Sequence, residues 1–576
     1  MNKRLIVSVF ILLLIGGGLF WYGSKQNSLE SLSISWISTR YGAQPLQLSK
    51  LRPEGIIAVG VEERLNSFPF IHEELKLGVD TYIKEVETAL GTKEDSLSQD
   101  FLSRIIFEQE RIAIILENPE AFIWSESFSP MKALPSSLYY HHPIRSRDDA
   151  VKYINRLRKV DTYITEYSSF LTGLLEGGYQ PHEWVLDHEI SLIDSLLCED
   201  FRENIFYAGF QRKVNQVDYA YVNENDILGY LERIVQLLDE EIYPAFRGLR
   251  NTLLVLKEKE KEGEGEWRSG RDNFSDLLYF YTSRKLDNTE TMGTFLDSIK
   301  YSPEELANSL LSKHKSEPTS DPFNLLEERI REIRLEEGKS DLYTSGLFEN
   351  EATFYTRISL LPDYLAYIGG AVQFQYGALD TARKSLLYVH PAYRSDNSVS
   401  PTQIAYRFLS RGEQTAWLYP YFQDSSLTQA ARAFSYPAFT EGWGWYIYEI
   451  VSSQLDLFAG NPMEKNVFYE AVYRECLKWE IEKALHVQGV PPEQLFNELR
   501  GNTRLDLVEL KKWITLSLEQ PGRLSAGLIG WFSWNQLREA GKTQKGRLFV
   551  LQEFHHQMLA QGMLPYQRLL SKLQGE

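Results

Sequence analysis

The stretch SLSQDFLSRIIFEQERIAIILENPEAF, from Ser96 to Phe122, decides the fold class of this chain. Its apolar residues recur at roughly helical spacing, which predicts an amphipathic helix. They are Phe101, Ile105, Ile106, Ile112 and Ile115. DPFNLLEERIREIRLEEG, from Asp321, and SPEELANSLL, from Ser302, are further helical patterns, whereas FYTRISL, from Phe354, is the best strand candidate. We therefore predict an all-α fold, mostly helical with few short strands.

One charged segment interrupts the helical patterns. KEKEKEGEGEWRSGRDN, from Lys257 to Asn273, contains three glycines and is typical of a solvated loop. It predicts an N-terminal helical half over residues 28–265 and a C-terminal helical half over residues 266–576.

Residues 1–27 have the pattern of a membrane anchor. The 18 residues from Leu5 to Tyr22 carry no charge, and a helix of this length could just span a bilayer core of roughly 30 Å. Lys3 and Arg4 precede them, which predicts a cytoplasmic N-terminus. A cleaved signal peptide is the alternative, but no A-x-A site follows. We expect a single-pass anchor in the inner membrane, with the body facing the extracytoplasmic, periplasmic side.

Composition excludes some classes of function. Hydrophobic residues make up 43% of the 576 residues, enough for a large core, and the net charge of -18 argues against nucleic-acid binding. The two cysteines, Cys198 and Cys476, could form one long-range disulfide, although two unpaired buried thiols are the favoured reading. His182 and His188 lie six residues apart, too far around a helix to share one zinc ion.

Three stretches of the C-terminal half together resemble the DUF885 family, a group of bacterial proteins similar to zinc metallopeptidases. AFTEGWGWYIYEI, from Ala438, resembles a family segment E-G-W-A-L-Y-A-E. QPGRLSAGLIGWFSWNQLRE, from Gln520, resembles a block P-G-x-x-x-x-Y-x-I-G followed by L-R. FHHQMLAQGMLP, from Phe554, is similar to an ending F-H-x-x-x-L-x-x-G-x-L-P. The resemblance implies a large helical body like that of the gluzincins.

The family's metal-binding segment H-E-x-x-P-G-H is degenerate in this chain. By the resemblance, the first histidine falls on Arg407, the glutamate on Phe408 and the second histidine on Glu413. The tyrosine of the P-G block falls on Gly527, which removes a side chain that resembles an oxyanion stabiliser. A catalytic zinc needs three protein ligands and an open position for water. We therefore expect no zinc and no other cofactor.

The residues that remain define candidates for a cleft. Glu441 resembles the third metal ligand, and His486 resembles the histidine of a family D-x-G-x-H segment. Trp443 and Arg411 complete the set of cleft candidates. An ion pair of Arg407 with Glu441, or of Arg411 with Glu413, could replace the lost charge pattern.

Three functions remain open. The first is a membrane-anchored homologue of zinc peptidases that has lost catalysis and binds a peptide or protein partner. The second is an active hydrolase that uses Glu441, His486 and Glu413. The third is a surface scaffold or glycan-binding protein, which only the 12 tryptophans and 33 tyrosines suggest.

Overall fold

The structure is a computed structural model of the chain. It describes residues 96–217, 221–260, 273–286, 357–369, 372–376, 385–391, 401–409, 412–423, 434–454 and 462–575 except 502 and 504, with isolated positions at 80, 83, 84, 86, 328 and 332. Within these ranges the fold is mostly helical with few short strands, as the hydrophobic periodicity predicts. The segments from Ser302 and Asp321 and the region from Leu5 to Tyr22 lie outside the described ranges.

Nine α-helices of the described ranges precede the sheet. They are α1 (Ser96–Glu117), α2 (Pro130–Ser136), α3 (Arg147–Leu157), α4 (Val160–Glu176), α5 (Glu183–Leu196), α6 (Ile205–Val214), α7 (Glu224–Leu237), α8 (Tyr243–Glu260) and α9 (Phe274–Thr282). Side-chain caps fix several helix starts, because their oxygens accept from orphan N–H groups of the first turn. Ser146 accepts from Asp149 N, and Asn223 accepts from Asp226 N.

Ten helices and three strands make up the described remainder. They are β1 (Arg357–Leu360), α10 (Asp363–Gly369), β2 (Val372–Gln375), β3 (Leu386–Val389), α11 (Pro401–Phe408), α12 (Glu413–Gln423), α13 (Pro437–Gln454), α14 (Pro462–Glu482), α15 (Pro492–Leu499), α16 (Leu507–Glu519), α17 (Ala526–Lys545), α18 (Leu551–Ala560) and α19 (Tyr566–Gln574). Three π-helical turns in the described ranges extend helix ends: Ser137–His141 after α2, Leu238–Ile242 after α7 and Lys483–Val487 after α14.

The strands form one small sheet in the order β1-β3-β2. β1 pairs parallel to β3 with Arg357 opposite Leu386, and β2 pairs antiparallel to β3 with Val372 opposite Val389. The strand predicted from Phe354 is thus confirmed over its last four residues, Arg357–Leu360.

Two sequence predictions need small corrections, one to the start of the charged loop and one to the burial of Cys198. The charged loop was predicted to start at Lys257, but α8 continues to Glu260, because Lys257 stays helical and bonds to Glu183 and Asp187 on α5. Cys198 and Cys476 do not form a disulfide with each other, as favoured, although Cys198 is only half-buried. None of the described helices is both long and apolar enough to cross a membrane.

A single hydrophobic cluster contains buried residues from both predicted halves, such as Trp124, Phe246 and Trp534. Polar contacts also join α1 to the C-terminal segment. Arg104 donates to the carbonyl of Met563 at 2.9 Å, and Arg568 donates to Asp100 at 2.8 Å. These contacts place α1 beside the C-terminal helices. The division at residue 265 stays a prediction.

Candidate functional site

Two glycines set the position of the candidate site. A Cβ built on Gly442 of α13 would lie 2.2 Å from the carbonyl carbon of Gly530 on α17, and one on Gly530 would lie 1.9 Å from the oxygen of Ala438. The two helix backbones therefore touch, which side chains at these positions would prevent. This contact brings Glu441 beside Gly527.

Glu441 is held by Arg523, not by Arg407. The guanidinium of Arg523 donates to both carboxylate oxygens of Glu441, at 2.6 and 3.3 Å. This is the two-pronged geometry that makes Arg–carboxylate pairs strong and directional. The predicted Arg407–Glu441 pair is wrong, because Arg523 already occupies both oxygens.

A buried glutamate positions the loop that carries Arg523. Gly522 adopts a φ of 87°, which turns the chain between α16 and α17. Glu482 accepts from the backbone N–H groups of Gly522, Leu524 and Ser525 at 2.8, 3.2 and 3.1 Å. Burial raises the pKa of Glu482 to about 7, although these hydrogen bonds oppose the rise. The loop is thus anchored on both sides of Arg523.

Arg407 lies on α11 and pairs with Glu413. Its Nε is 3.5 Å from Oε1 of Glu413, and its guanidinium stacks over the ring of Trp445 at 4.3 Å and that of Phe408 at 4.8 Å. Gly444 permits this approach, because a Cβ there would lie 2.6 Å from the Arg407 carbonyl oxygen. Arg411, and with it the alternative Arg411–Glu413 pair, lies outside the described residues.

Glu413 is a strongly perturbed acid of the site. Burial raises its pKa to about 7, with Arg407 opposing and Glu441 reinforcing the rise. The Tyr376 hydroxyl donates to its Oε2 at 2.9 Å. Glu475 of α14 behaves in the opposite way: although burial raises its pKa, Lys478, 2.7 Å away, and Arg407 outweigh burial and lower it. The centre thus contains one carboxyl group with a raised pKa, Glu413, and one with a lowered pKa, Glu475.

Gly527 stands where the resemblance places a tyrosine, and a large side chain does not fit there. A Cβ on Gly527 would lie 3.3 Å from Oε2 of Glu441, 3.6 Å from Oε2 of Glu475 and 3.6 Å from Cδ1 of Trp445. A Cβ alone would already be in tight contact, so a phenol ring would have to displace these groups.

Two predicted cleft residues are packing residues. His486 is fully buried in the π-helical turn, bonds to the Ser517 hydroxyl at 2.9 Å and stacks on Phe274 at 5.1 Å. Trp443 is also fully buried and contacts the rings of Trp534 and His555 at 4.8 and 5.1 Å.

The arrangement of Arg407, Glu413 and Glu441 does not fit a zinc ion. Glu441 and Glu413 each have a guanidinium partner, and Arg407 would place a fixed cation beside any metal. Within the described ranges, one group of His, Cys, Asp or Glu residues has ligand atoms close enough for a shared ion: His188, Glu189 and Glu519, all within 4.8 Å of one another. That group lies elsewhere in the fold.

A lysine already occupies the His188 group. Lys132 of α2, with a 1% exposed side chain, lies 2.7 Å from Glu189 and 2.6 Å from Glu519, and it donates to the Trp124 carbonyl at 2.8 Å. The charges of both glutamates outweigh burial and raise the pKa of Lys132. A cation is thus supplied by the chain itself, and a metal ion would have to displace it.

His182 and His188 have separate partners. His182 caps α5, accepting from Trp184 N at 3.2 Å, and lies 3.2 Å from Glu493. His188 contacts Glu519 at 2.6 Å. The pair of histidines in the sequence thus includes one member of a polar cluster, His188. The other members, Lys132, Glu189 and Glu519, come from three separate helices and could not be grouped from the sequence.

The fold and its centre define a large helical protein whose central carboxylates are neutralised by arginines. The chain belongs to the DUF885 family, described as "Bacterial protein of unknown function", which matches residues 72–339 and 418–573. No curated protein matches the chain.

Two solved structures share the fold. One, described as a "putative lipoprotein" from Colwellia psychrerythraea, has a TM-score of 0.78 and 16% identity and covers 96% of this chain and 98% of its own. The other, a lipoprotein of the same description from Shewanella oneidensis, has a TM-score of 0.61 and 13% identity and covers 94% of this chain and 99% of its own.

Sequence reasoning missed Arg523, the partner of Glu441. It lies inside the quoted P-G block, directly after Gly522, at a position that the family pattern leaves unspecified. The charge of Arg523 could have identified it. It is the one cation between Lys512 and Arg538, a segment whose other residues are small, apolar or polar, apart from one glutamate.

Proposed function

We propose that this protein is an extracytoplasmic, membrane-associated binding protein whose centre no longer performs zinc-peptidase chemistry. The observation that carries the proposal is the Arg523–Glu441 pair, with hydrogen bonds at 2.6 and 3.3 Å. Glu441 resembles a zinc ligand, and a carboxylate whose two oxygens accept from a guanidinium has lost much of its capacity to bind a metal.

The second ion pair supports the same proposal. Arg407 occupies the position of an expected imidazole ligand and neutralises Glu413, which occupies the position of another. Phe408 replaces the expected general base with an apolar ring. Ligand, base and transition-state stabiliser are thus all replaced, so the chemistry of a zinc-bound water has no support from these side chains.

Membrane association and location are part of the proposal. The two structural relatives are described as lipoproteins, and residues 5–22 of this chain are uncharged. A peptide or protein is the partner class that the resemblance implies. The aromatic side chains give little support to the scaffold or glycan alternative, because a glycan would need exposed rings. Trp184 is the only tryptophan in the described ranges that is not buried.

Elemental analysis tests the loss of zinc chemistry. The full chain, purified in detergent and dialysed against buffer containing trace zinc, should contain far less than one zinc per chain. It should also leave a mixed peptide library intact, with or without added zinc. Stoichiometric zinc together with chelator-sensitive peptide cleavage would overturn the proposal. Retention of library peptides on the immobilised chain, without cleavage, tests the partner class.

One observation favours an active hydrolase as a second candidate. A carboxyl group with a pKa of about 7, as burial produces at Glu413, holds a proton near neutral pH and could serve as a general acid. Hydrolysis that is independent of metal and abolished in Glu413→Gln, but retained in Glu482→Gln, would support this candidate against the first.

A further inference from the structure

A polar groove lies away from the central site, between α3 and α7. Its volume is about 370 Å³, within the range of small-ligand sites. Residues at helical spacing along α3 and at its C-cap line one side, among them Arg147, Val151 and Arg158, and α7 lines the other side with Asp226, Gly229 and Arg233. The groove is thus built from two regular elements, which hold side chains more firmly than loops do.

Positive charge is concentrated in this groove. Three arginines and one aspartate line it, in a chain whose net charge is -18. Arg147, the first residue of α3, lies 3.3 Å from Asp226, the third residue of α7, so the two helices begin side by side and one arginine is neutralised there.

The other two arginines have weaker ionic partners than Arg147. Arg158 donates to the neutral side chain of Asn155 at 3.3 Å. Arg233 donates to the neutral Gln236, its Nη2 is 4.0 Å from Glu241, and its buried Nε has no hydrogen-bond partner. Both lie further along their helices than the Arg147–Asp226 pair, so the groove has a neutral end and a cationic end.

We propose that the groove binds a small amphipathic anion, with a phosphate head on Arg158 and Arg233 and an apolar body along Val151 and Tyr230. Two guanidiniums match a phosphate in charge, and their planar forks match its oxygens in geometry. Val151 and the Tyr230 ring, which also line the groove, supply apolar surface. This site is independent of the central carboxylates and of the function proposed for them.

Gly229 offers a way to close the groove without disturbing the core. It lines the groove on α7, and a Cβ there would meet nothing within 4 Å. Gly248 on α8 is an equally exposed helical glycine with nothing within 4 Å, and it does not line the groove. Gly229→Leu and Gly248→Leu are therefore a matched pair, since both replace a helical glycine by the same side chain.

The experiment is calorimetric titration of the full chain in phosphatidylcholine nanodiscs with hexyl phosphate. We expect saturable binding that weakens at high salt, because the contacts are charged. Gly229→Leu fills the groove and should raise Kd by about tenfold or more. The double variant Arg158→Gln/Arg233→Gln should do the same, since tenfold is roughly the loss of one charged hydrogen-bonded contact. Gly248→Leu and the charge-matched double variant Arg247→Gln/Arg500→Gln should bind as the unmodified chain does.

One comparison separates the sources of the phosphate. Addition of phosphatidylglycerol to the nanodisc should weaken hexyl phosphate binding if lipid head groups reach the groove, and should leave it unchanged if the ligand is a free anion. Absence of saturable binding to the unmodified chain, or an unchanged Kd in Gly229→Leu, would overturn the proposal.

Discussion

At the scale of single residues, charge neutralisation explains how the buried carboxylates of the centre are tolerated. Unpaired carboxylates would be strongly unfavourable in a centre where Glu413 and Glu475 are each only 4% exposed. The chain supplies Arg407, Arg523 and Lys478 as partners. Side-chain cations thus balance the charge of these carboxylates, and the position of each cation determines which carboxylate it can stabilise.

The Arg523–Glu441 pair should make a measurable contribution to stability. Removing one partner of a buried pair costs roughly 3–5 kcal/mol, and the partial exposure of these side chains, 37% and 20%, reduces this to about 1–3 kcal/mol for Arg523→Ala. In urea unfolding, the cycle of Arg523→Ala with Glu441→Gln should show clear coupling. The cycle of Arg407→Ala with Glu441→Gln is the control, and stronger coupling there would contradict the assigned pairs.

Glu413 should make stability depend on pH near neutrality. Its pKa rises on folding from 4.5 to about 7, so between these values the folded state binds more protons than the unfolded state. The free energy of unfolding should therefore fall as pH rises from 4.5 to 7 and level off above 7.

The size of that pH effect follows from the shift. At about 1.4 kcal/mol per pKa unit, the loss is roughly 3 kcal/mol. Glu413→Gln should remove this part of the decline, which urea unfolding at pH 5.0 and 7.5 would measure. Glu482 has a similar raised pKa, so Glu482→Gln is the informative comparison. A Glu413→Gln variant with the same pH slope as the unmodified chain would contradict the assignment.

At the scale of elements, helix periodicity was predictable and the contacts between helices were not. The pattern from Ser96 predicted α1, and the alternating residues of FYTRISL predicted β1, because both signals are local. Arg523 reaches Glu441 across 82 residues of sequence, through a turn that depends on Gly522 and Glu482. The family pattern supplied the positions of Gly442 and Gly530 but not the reason for them, which is the contact of α13 with α17.

That helix contact should tolerate no side chain. Gly530→Ala would place a methyl group 1.9 Å from the Ala438 carbonyl oxygen, so the helices must separate. We expect a loss of about 3 kcal/mol or more, since overpacking of a rigid contact typically costs 1–3 kcal/mol and backbone cannot rotate away. Thermal unfolding followed by circular dichroism measures it. Gly173→Ala, on α4 with nothing within 4 Å of its Cβ, is the control and should be neutral or slightly stabilising.

At the scale of the whole molecule, residues 5–22 predict where the body lies. If they are an anchor, the protein should sediment with membranes, and external protease should digest its body in spheroplasts but not in intact cells. A cytoplasmic enzyme in the same spheroplasts is the control for lysis. Recovery of a soluble mature form that starts near Ser24 would instead support a cleaved signal peptide.

The buried Lys132 network should make the two predicted halves unfold together. Lys132 and Glu189 belong to the N-terminal half and Glu519 to the C-terminal half, and the two glutamates are 0% exposed. Lys132→Met leaves two buried carboxylates without their cation, so we expect a loss of roughly 3–5 kcal/mol. The triple variant Lys132→Met/Glu189→Gln/Glu519→Gln should lose less, because it buries no uncompensated charge.

Two spectroscopic probes can measure whether the two predicted halves unfold cooperatively. Circular dichroism reports helices throughout the chain. Tryptophan fluorescence reports mainly on the C-terminal half, because five of the six fully buried tryptophans in the described ranges lie there: Trp443, Trp445, Trp479, Trp531 and Trp534. Because one hydrophobic cluster and the Lys132 network join the halves, urea unfolding should give coincident transitions by circular dichroism and tryptophan fluorescence. Two separated transitions in the unmodified chain would show instead that the halves are independent folding units and that the network adds little to their association.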